Sequence, residues 1–226
     1  LWRMRSYYMT KMRYETDFNR RMRQLITDAW EIFQNKVGNG HLEINKEASM
    51  QLHYAYILNS LLPHYIFSHD ETATLELETG VKVNGTTKEI DLLLQCSKAG
   101  NKNNIAIEMK CYKEYASSGG KRGATDIFMK DVYYDLHLLE QYCQQSDPKI
   151  HAGIELVMTD LERLIYPKSK DAKCWDYDIS HGTQISNISL NTPIGGKDVN
   201  FAIKKQHDFI WVQNGSYWFT IIEGID

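Results

Sequence analysis

No stretch of this chain approaches the roughly 20 apolar residues a helix needs to cross a bilayer, and the N-terminal region lacks the apolar core of a secretory signal. A cytoplasmic location with no membrane partner is the resulting expectation. The four cysteines, Cys96, Cys111, Cys143 and Cys174, form no C-x-x-C pair and have no histidine at zinc-finger spacing. They are expected to be buried free thiols. No excess of one charge is present: 26 basic against 29 acidic residues leave a formal net charge of -3, so any nucleic-acid surface must be local. No RNA-binding signature is visible. His181 and His207 have no partner arrangement for nucleophilic chemistry and are expected at the surface. An ordinary globular balance of 42% hydrophobic and 24% charged residues argues against disorder. Leu1 stands where a Met would start the chain, so truncation or a non-standard start codon is expected, with Met4, Met9 and Met12 as alternative starts.

At 226 residues the chain is expected to form one domain, with an N-terminal basic helix over 1–40, a core over 45–160 and a C-terminal elaboration over 161–226. Helical spacing runs through Phe18, Met22, Leu25, Ala29, Ile32 and Phe33 and stops at Gly38-Asn39-Gly40. Arg3, Arg5, Lys11, Arg13, Arg20, Arg21 and Arg23 cluster there, either as an arm that tracks phosphates or as a solvated face. A second helix is expected from an Asn45 N-cap to Leu62, just before Pro63, with Glu47, Gln51, Ala55, Leu58 and Leu62 on one stripe. The chain then alternates over Thr72–Glu78 and Val81–Val83, and again over Glu89–Gln95, as strands do. The longest clear helix follows over Thr125–Gln145, with Phe128, Val132, Leu136, Leu139 and Cys143 as its apolar stripe. After it, His151–Thr159 reads as a buried strand reached by a crossover. Asn214-Gly215 marks a hairpin turn flanked by Trp211, Tyr217, Trp218 and Phe219, aromatic residues that either pack on the core or stack on bases.

The chemistry concentrates in Ile90-Asp91-Leu92 and Ile105-Ala106-Ile107-Glu108-Met109-Lys110. Strand alternation puts Glu108 and Lys110 on one face, with Ile105, Ile107, Met109 and Cys111 on the other. On the preceding strand Ile90, Leu92 and Leu94 share a face, and Asp91 and Leu93 take the opposite one. The segment Ser97–Asn104 reads as the hairpin loop between the two strands, so pairing them brings Asp91 beside Glu108. Two converging carboxylates make a hard-oxygen site suited to Mg²⁺ or Mn²⁺. A lysine two residues on can orient or help deprotonate an attacking water, or stabilise charge on a phosphate. An isolated E-x-K is equally read as alternation on a solvated strand face.

This element order, with Asp91 as first acid and Glu108-Met109-Lys110 as the E-x-K, resembles the PD-(D/E)xK nuclease superfamily over roughly residues 45–160. Ile90 stands where the proline that names the motif would be. The resemblance implies an α/β fold with a restriction-endonuclease-like core: helix, three strands, helix, strand, in a central mixed sheet flanked by helices. To this the chain adds an N-terminal helix and a C-terminal β-hairpin. It further implies a Mg²⁺-dependent endodeoxyribonuclease, with Mn²⁺ able to substitute, in which Asp91, Glu108, the Met109 carbonyl and Glu47 hold metal and Lys110 acts on the water. For Glu47 the competing reading is complementing the helix dipole. Gln51, Lys113, Lys121, Arg122 and Lys130 are the candidate nucleic-acid contacts, and the polar loop 113–123 either closes over a bound backbone or is an ordinary connection. DNA is the expected partner, with RNA not excluded, and a homodimer would allow both strands to be cut. The alternatives are a non-catalytic nucleic-acid- or protein-binding module on the same scaffold and an RNA-directed endonuclease.

Overall fold

Asp17 adopts an extended conformation and its carboxylate accepts the Arg20 N–H, which caps the first helix, α1 (Phe18–Gly38). The computed structural model of the protein describes residues 15–225; Arg3, Arg5, Lys11 and Arg13 of the basic cluster, and the three candidate start methionines, lie outside them. Phe18, Met22, Leu25, Ala29 and Phe33 are buried as their spacing requires, joined by Ile26 and Trp30. Ile32 departs from that stripe and is 36% exposed, since it lies about 100° around the helix from Phe33. The cluster's remaining arginines divide. Arg20 is exposed, but Arg21 is buried against Glu71 Oε1 at 2.6 Å and Arg23 is held by Glu223 at 2.7 Å. Two of the presumed phosphate-tracking residues are therefore committed to ion pairs within the chain. The Arg21 pair clamps α1 to the start of the sheet. Burial works against the Glu71 charge, but the Phe67 N–H, Arg21 and Lys98 outweigh it and bring its pKa down to about 2.

The second helix, α2 (Glu47–Leu61), starts with Lys46 as N-cap, not Asn45. The reason is Ser49, whose hydroxyl accepts the N–H groups of Asn45 at 2.9 Å and Lys46 at 3.1 Å from inside the first turn. The sheet strands follow: β1 (Glu71–Val83), β2 (Thr86–Lys98), β3 (Asn101–Lys102) and β4 (Asn104–Tyr112). The expected loop 97–104 is tighter than its composition implied, because Ala99 and Gly100 turn the chain with φ of 49° and 78° and β3 pairs back onto β2. Helix α3 (Thr125–Tyr142) then crosses over to β5 (Ile150–Thr159), which pairs parallel to β4. Beyond β5 come α4 (Glu162–Ile165), the short strands β6 (Gln184–Ile185), β7 (Ile188–Leu190), β8 (Phe201–Ile203) and β9 (His207–Asp208), and the hairpin β10 (Val212–Asn214) and β11 (Tyr217–Glu223).

The result is an α/β protein whose central mixed sheet runs β1-β2-β4-β5-β11-β10. One face buries α1 and α2 over Leu92, Leu94, Ile105, Ile107, Met109, Leu156 and Phe219. The other face carries α3 over Leu93, Ala106 and Val157, with the short strands packed outboard of that helix. The C-terminal hairpin is thus part of the main sheet, because β11 pairs antiparallel with β5. Trp211, Trp218 and Phe219 are buried, which gives them a packing role. No described helix is long and apolar enough to cross a membrane.

The hairpin turn is one residue later than expected. Asn214 still pairs with Tyr217, so the two-residue loop is Gly215-Ser216, with Gly215 at φ +59°. A Cβ on Gly215 would sit 2.2 Å from the Gly38 carbonyl oxygen, where the end of α1 meets the turn. Gly215→Ala combines this backbone clash with a left-handed φ and is expected to destabilise by about 2–3 kcal/mol, read as a lower urea midpoint at unchanged m-value.

Candidate active site

The β2–β4 ladder holds only from Leu94↔Ile105 to Leu92↔Ile107. Beyond it the strands part, β2 remaining with β1 while β4 continues along β5 to Tyr112. Asp91 lies in this fork, and its Oδ2 accepts the Met109 N–H at 2.7 Å, replacing the ladder bond lost there. Across from it on β1, Glu78 has a φ of 51° and interrupts the alternation. Ile90 consequently joins the α3-side cluster while Leu92 and Leu94 face α1 and α2, a departure from the common face expected for the three. Gln51 of α2 stitches the fork together, donating to Glu78 Oε1 at 2.8 Å and to the Asp91 carbonyl at 2.9 Å. Its amide is engaged inside the chain.

Glu108 and Lys110 both project toward α3, as alternation requires. Glu108 is 4% exposed, and its Oε1 is buried with no partner. Lys110 Nζ lies 2.7 Å from Asp135 Oδ2 on α3, 3.3 Å from the Met109 carbonyl and 3.5 Å from Glu47 Oε1. Glu47 sits in the first turn of α2, is 43% exposed at its side chain, and reaches the Cys111 N–H at 3.4 Å through Oε2. Beneath these groups Glu155 of β5, the register partner of Glu108, is fully buried with neither carboxyl oxygen satisfied. The Tyr142 hydroxyl is likewise buried without a partner.

Five carboxyls therefore surround one ammonium in a fork that is buried except at Glu47. Burial, then the neighbouring acids, raises Glu108 and Glu155 well above the carboxylate range. Asp135 rises to about 6 through burial, with Lys110 pulling the other way. Burial also raises Glu47 and Asp91, each opposed by Lys110. For Lys110 burial works against the charge, but Asp135 and Glu47 outweigh it and the pKa goes up. Among the described residues no three His, Cys, Asp or Glu side chains stand in a ready-made metal cage.

The structure thus brings Asp91, Glu108, Met109, Lys110 and Glu47 together, with Gln51 bonded to the Asp91 carbonyl beside them, and it engages the other four candidate nucleic-acid contacts with groups outside this set. Lys113 Nζ lies 5.6 Å from the Tyr217 ring centroid, and Lys121 pairs with Glu114 at 2.9 Å. Arg122 donates to the Asn45 carbonyl at 3.0 Å, and Lys130 pairs with Asp131 on its own helix. His207 is 2% exposed and bonds Glu140, so the surface expectation fails for it; His181 is exposed as expected. Cys96 alone of the four free cysteines is fully buried, the others being partly so.

Asp135 and Glu155 were missed, and both carry a signal in the sequence. Asp135 lies three residues after Val132 and four before Leu139, which puts an acid on the apolar stripe of α3. Glu155 interrupts the apolar run Ile154-Glu155-Leu156-Val157 of a buried strand. No family model matches this chain, and neither a curated protein nor a solved structure matches it.

Proposed function

We propose that this chain is a Mg²⁺-dependent nuclease of the restriction-endonuclease-like kind, hydrolysing DNA phosphodiester bonds. The observation that carries the reading is the fork between β2 and β4, where Asp91, Glu108 and Lys110 converge with Glu47 of the preceding helix. The order α2, β1, β2, β4, α3, β5, with β4 and β5 parallel, supports the finer assignment to a PD-(D/E)xK core.

The donor set fits a hard divalent cation. Glu108 Oε1 is an unsatisfied buried oxygen, and the crowded carboxyls gain by neutralisation. Mg²⁺ keeps several waters and takes only one or two carboxylates, so a three-residue cage is not required. Asp91 and Glu108 would hold it, with the Met109 carbonyl and Glu47 at the margin of the site. What Mg²⁺ supplies when bound is Lewis-acid polarisation of the phosphate.

The chain's own groups divide the remaining work. Lys110, held as an ammonium, has no lone pair to accept a proton from water, so it serves to orient the nucleophile and to stabilise negative charge on the phosphoryl oxygens. Glu47, raised in pKa and partly exposed at the mouth of the fork, is the group able to accept a proton from water entering there. Water attacks phosphorus and the bond to the sugar oxygen breaks.

The test is incubation with supercoiled plasmid, single-stranded DNA and RNA in Mg²⁺, Mn²⁺ or EDTA. Cleavage of DNA that needs the metal and disappears in Asp91→Ala is the expected result. Failure to cut any of these substrates would argue for a non-catalytic module, and cutting of RNA alone for the RNA-directed enzyme.

A further inference from the structure

We infer that Asp135 is the positioning residue for Lys110, holding its ammonium in the fork from the opposite element, α3. This inference rests on the nuclease reading above and adds to it a residue outside the D…E-x-K pattern.

Three oxygens approach Lys110 Nζ, and they are not equivalent. Asp135 Oδ2 is the nearest at 2.7 Å, and its side chain is 9% exposed. Glu47 stands at 3.5 Å with a side chain 43% exposed, and the Met109 carbonyl is at 3.3 Å. Coulombic attraction scales inversely with distance and with the local dielectric, so the nearer and drier contact with Asp135 dominates. A lysine side chain has four rotatable bonds, and a single buried contact at its tip removes most of that freedom. The strand fixes where Lys110 begins, and Asp135 fixes where it ends.

The location of Asp135 makes a merely structural role a poor explanation. Val132, Leu136 and Leu139 surround it on α3, all buried, and an apolar residue there would complete the stripe without desolvating a charge. Nor is the acid needed to balance local charge: Glu47 and Asp91 already outnumber Lys110. An extra carboxyl in that company raises the electrostatic cost of folding. What it adds is direction, a second point of attachment for the ammonium from across the sheet face.

The experiment compares Asp135→Asn and Asp135→Ala with the natural chain, measuring kcat and KM for DNA cleavage in Mg²⁺ together with thermal melting of the metal-free protein. Asn keeps the shape and one acceptor oxygen, so it is the variant that retains the fold. The expected result is a fall in kcat of about 10-fold or more with KM little changed, greater for Ala than for Asn, and a melting temperature for Asn that is not lowered. A structural role would instead lower melting temperature along with activity. Cleavage by the natural chain with kcat of Asp135→Asn within twofold overturns this inference alone, as does a loss that follows a fall in melting temperature. No cleavage by the natural chain on any substrate overturns the nuclease reading and this inference with it.

Discussion

Lys110→Ala is expected to lower the rate of DNA cleavage by about 10²–10³, the usual cost of removing one preorganised electrostatic donor from a water-poor site. The size follows from the setting. Nζ is fixed by Asp135 at 2.7 Å and approached by Glu47 at 3.5 Å, so its charge is delivered in place and needs no reorganisation when negative charge develops on a phosphate. The fold should survive the substitution. Lys110 stands at the margin of the core clusters, and its loss leaves Asp135, already raised to about 6, free to take up a proton in place of the lost partner. Initial rates on plasmid, set beside far-ultraviolet circular dichroism and thermal melting, check both halves. A folded variant that cleaves at the natural rate would remove Lys110 from the chemistry.

The second large effect is on stability against pH and metal. Asp135 has its pKa raised from 3.8 to about 6, so the folded chain retains a proton that the unfolded chain releases at lower pH. Its favourable contribution is whole below pH 3.8 and is lost as pH rises through 6, amounting to on the order of 3 kcal/mol at about 1.4 kcal/mol per unit. Glu108 and Glu155, raised further by burial and by their neighbours, extend the loss to higher pH. Glu71 acts in the opposite sense. Its pKa is lowered from 4.5 to about 2, so its contribution is present above 4.5 and lost as pH falls toward 2. The metal-free protein should therefore be most stable in mildly acid solution, between about pH 4 and 5, and weaken toward pH 8. Mg²⁺ at millimolar concentration should restore stability at pH 8 and do little at pH 5, since protons and metal compete for the same oxygens. Melting temperatures across pH 4–9 with Mg²⁺ or EDTA give the answer. A flat profile that Mg²⁺ does not change would mean that the buried carboxyls are neither strained nor metal-linked.

Much of this architecture is legible in the sequence. Apolar spacing located α1, α2 and α3, and strand alternation located β1, β2 and β4, because the periods 3.6 and 2 are local consequences of backbone geometry that side-chain polarity reveals directly; β5 is read from its mostly apolar run after the long helix. The same alternation correctly turned Glu108 and Lys110 to one face, and the hairpin loop brought Asp91 to them. Where local rules were modified by a neighbour, the reading moved by a residue: Ser49 shifted the start of α2, and the approach of Gly215 to Gly38 accompanies a turn one position later.

What tertiary structure alone decided is which groups meet. That β2 and β4 part just where Asp91 lies depends on β5 capturing the end of β4, and no feature near Asp91 encodes it. Arg21 read as a surface charge until Glu71, 50 positions later, was folded onto it, and His207 read as exposed until Glu140 of α3 came within 3.1 Å. Asp135 and Glu155 are the sharpest case. Their positions on apolar patterns carry a signal of burial that went unread, and only the packing of α3 across β4 and β5 made one of them the anchor of Lys110 and left the other unpaired. Periodicity determines which way a side chain faces; its electrostatics depends on charges brought within a few ångströms by contacts distant in the chain, and those the folded protein supplies.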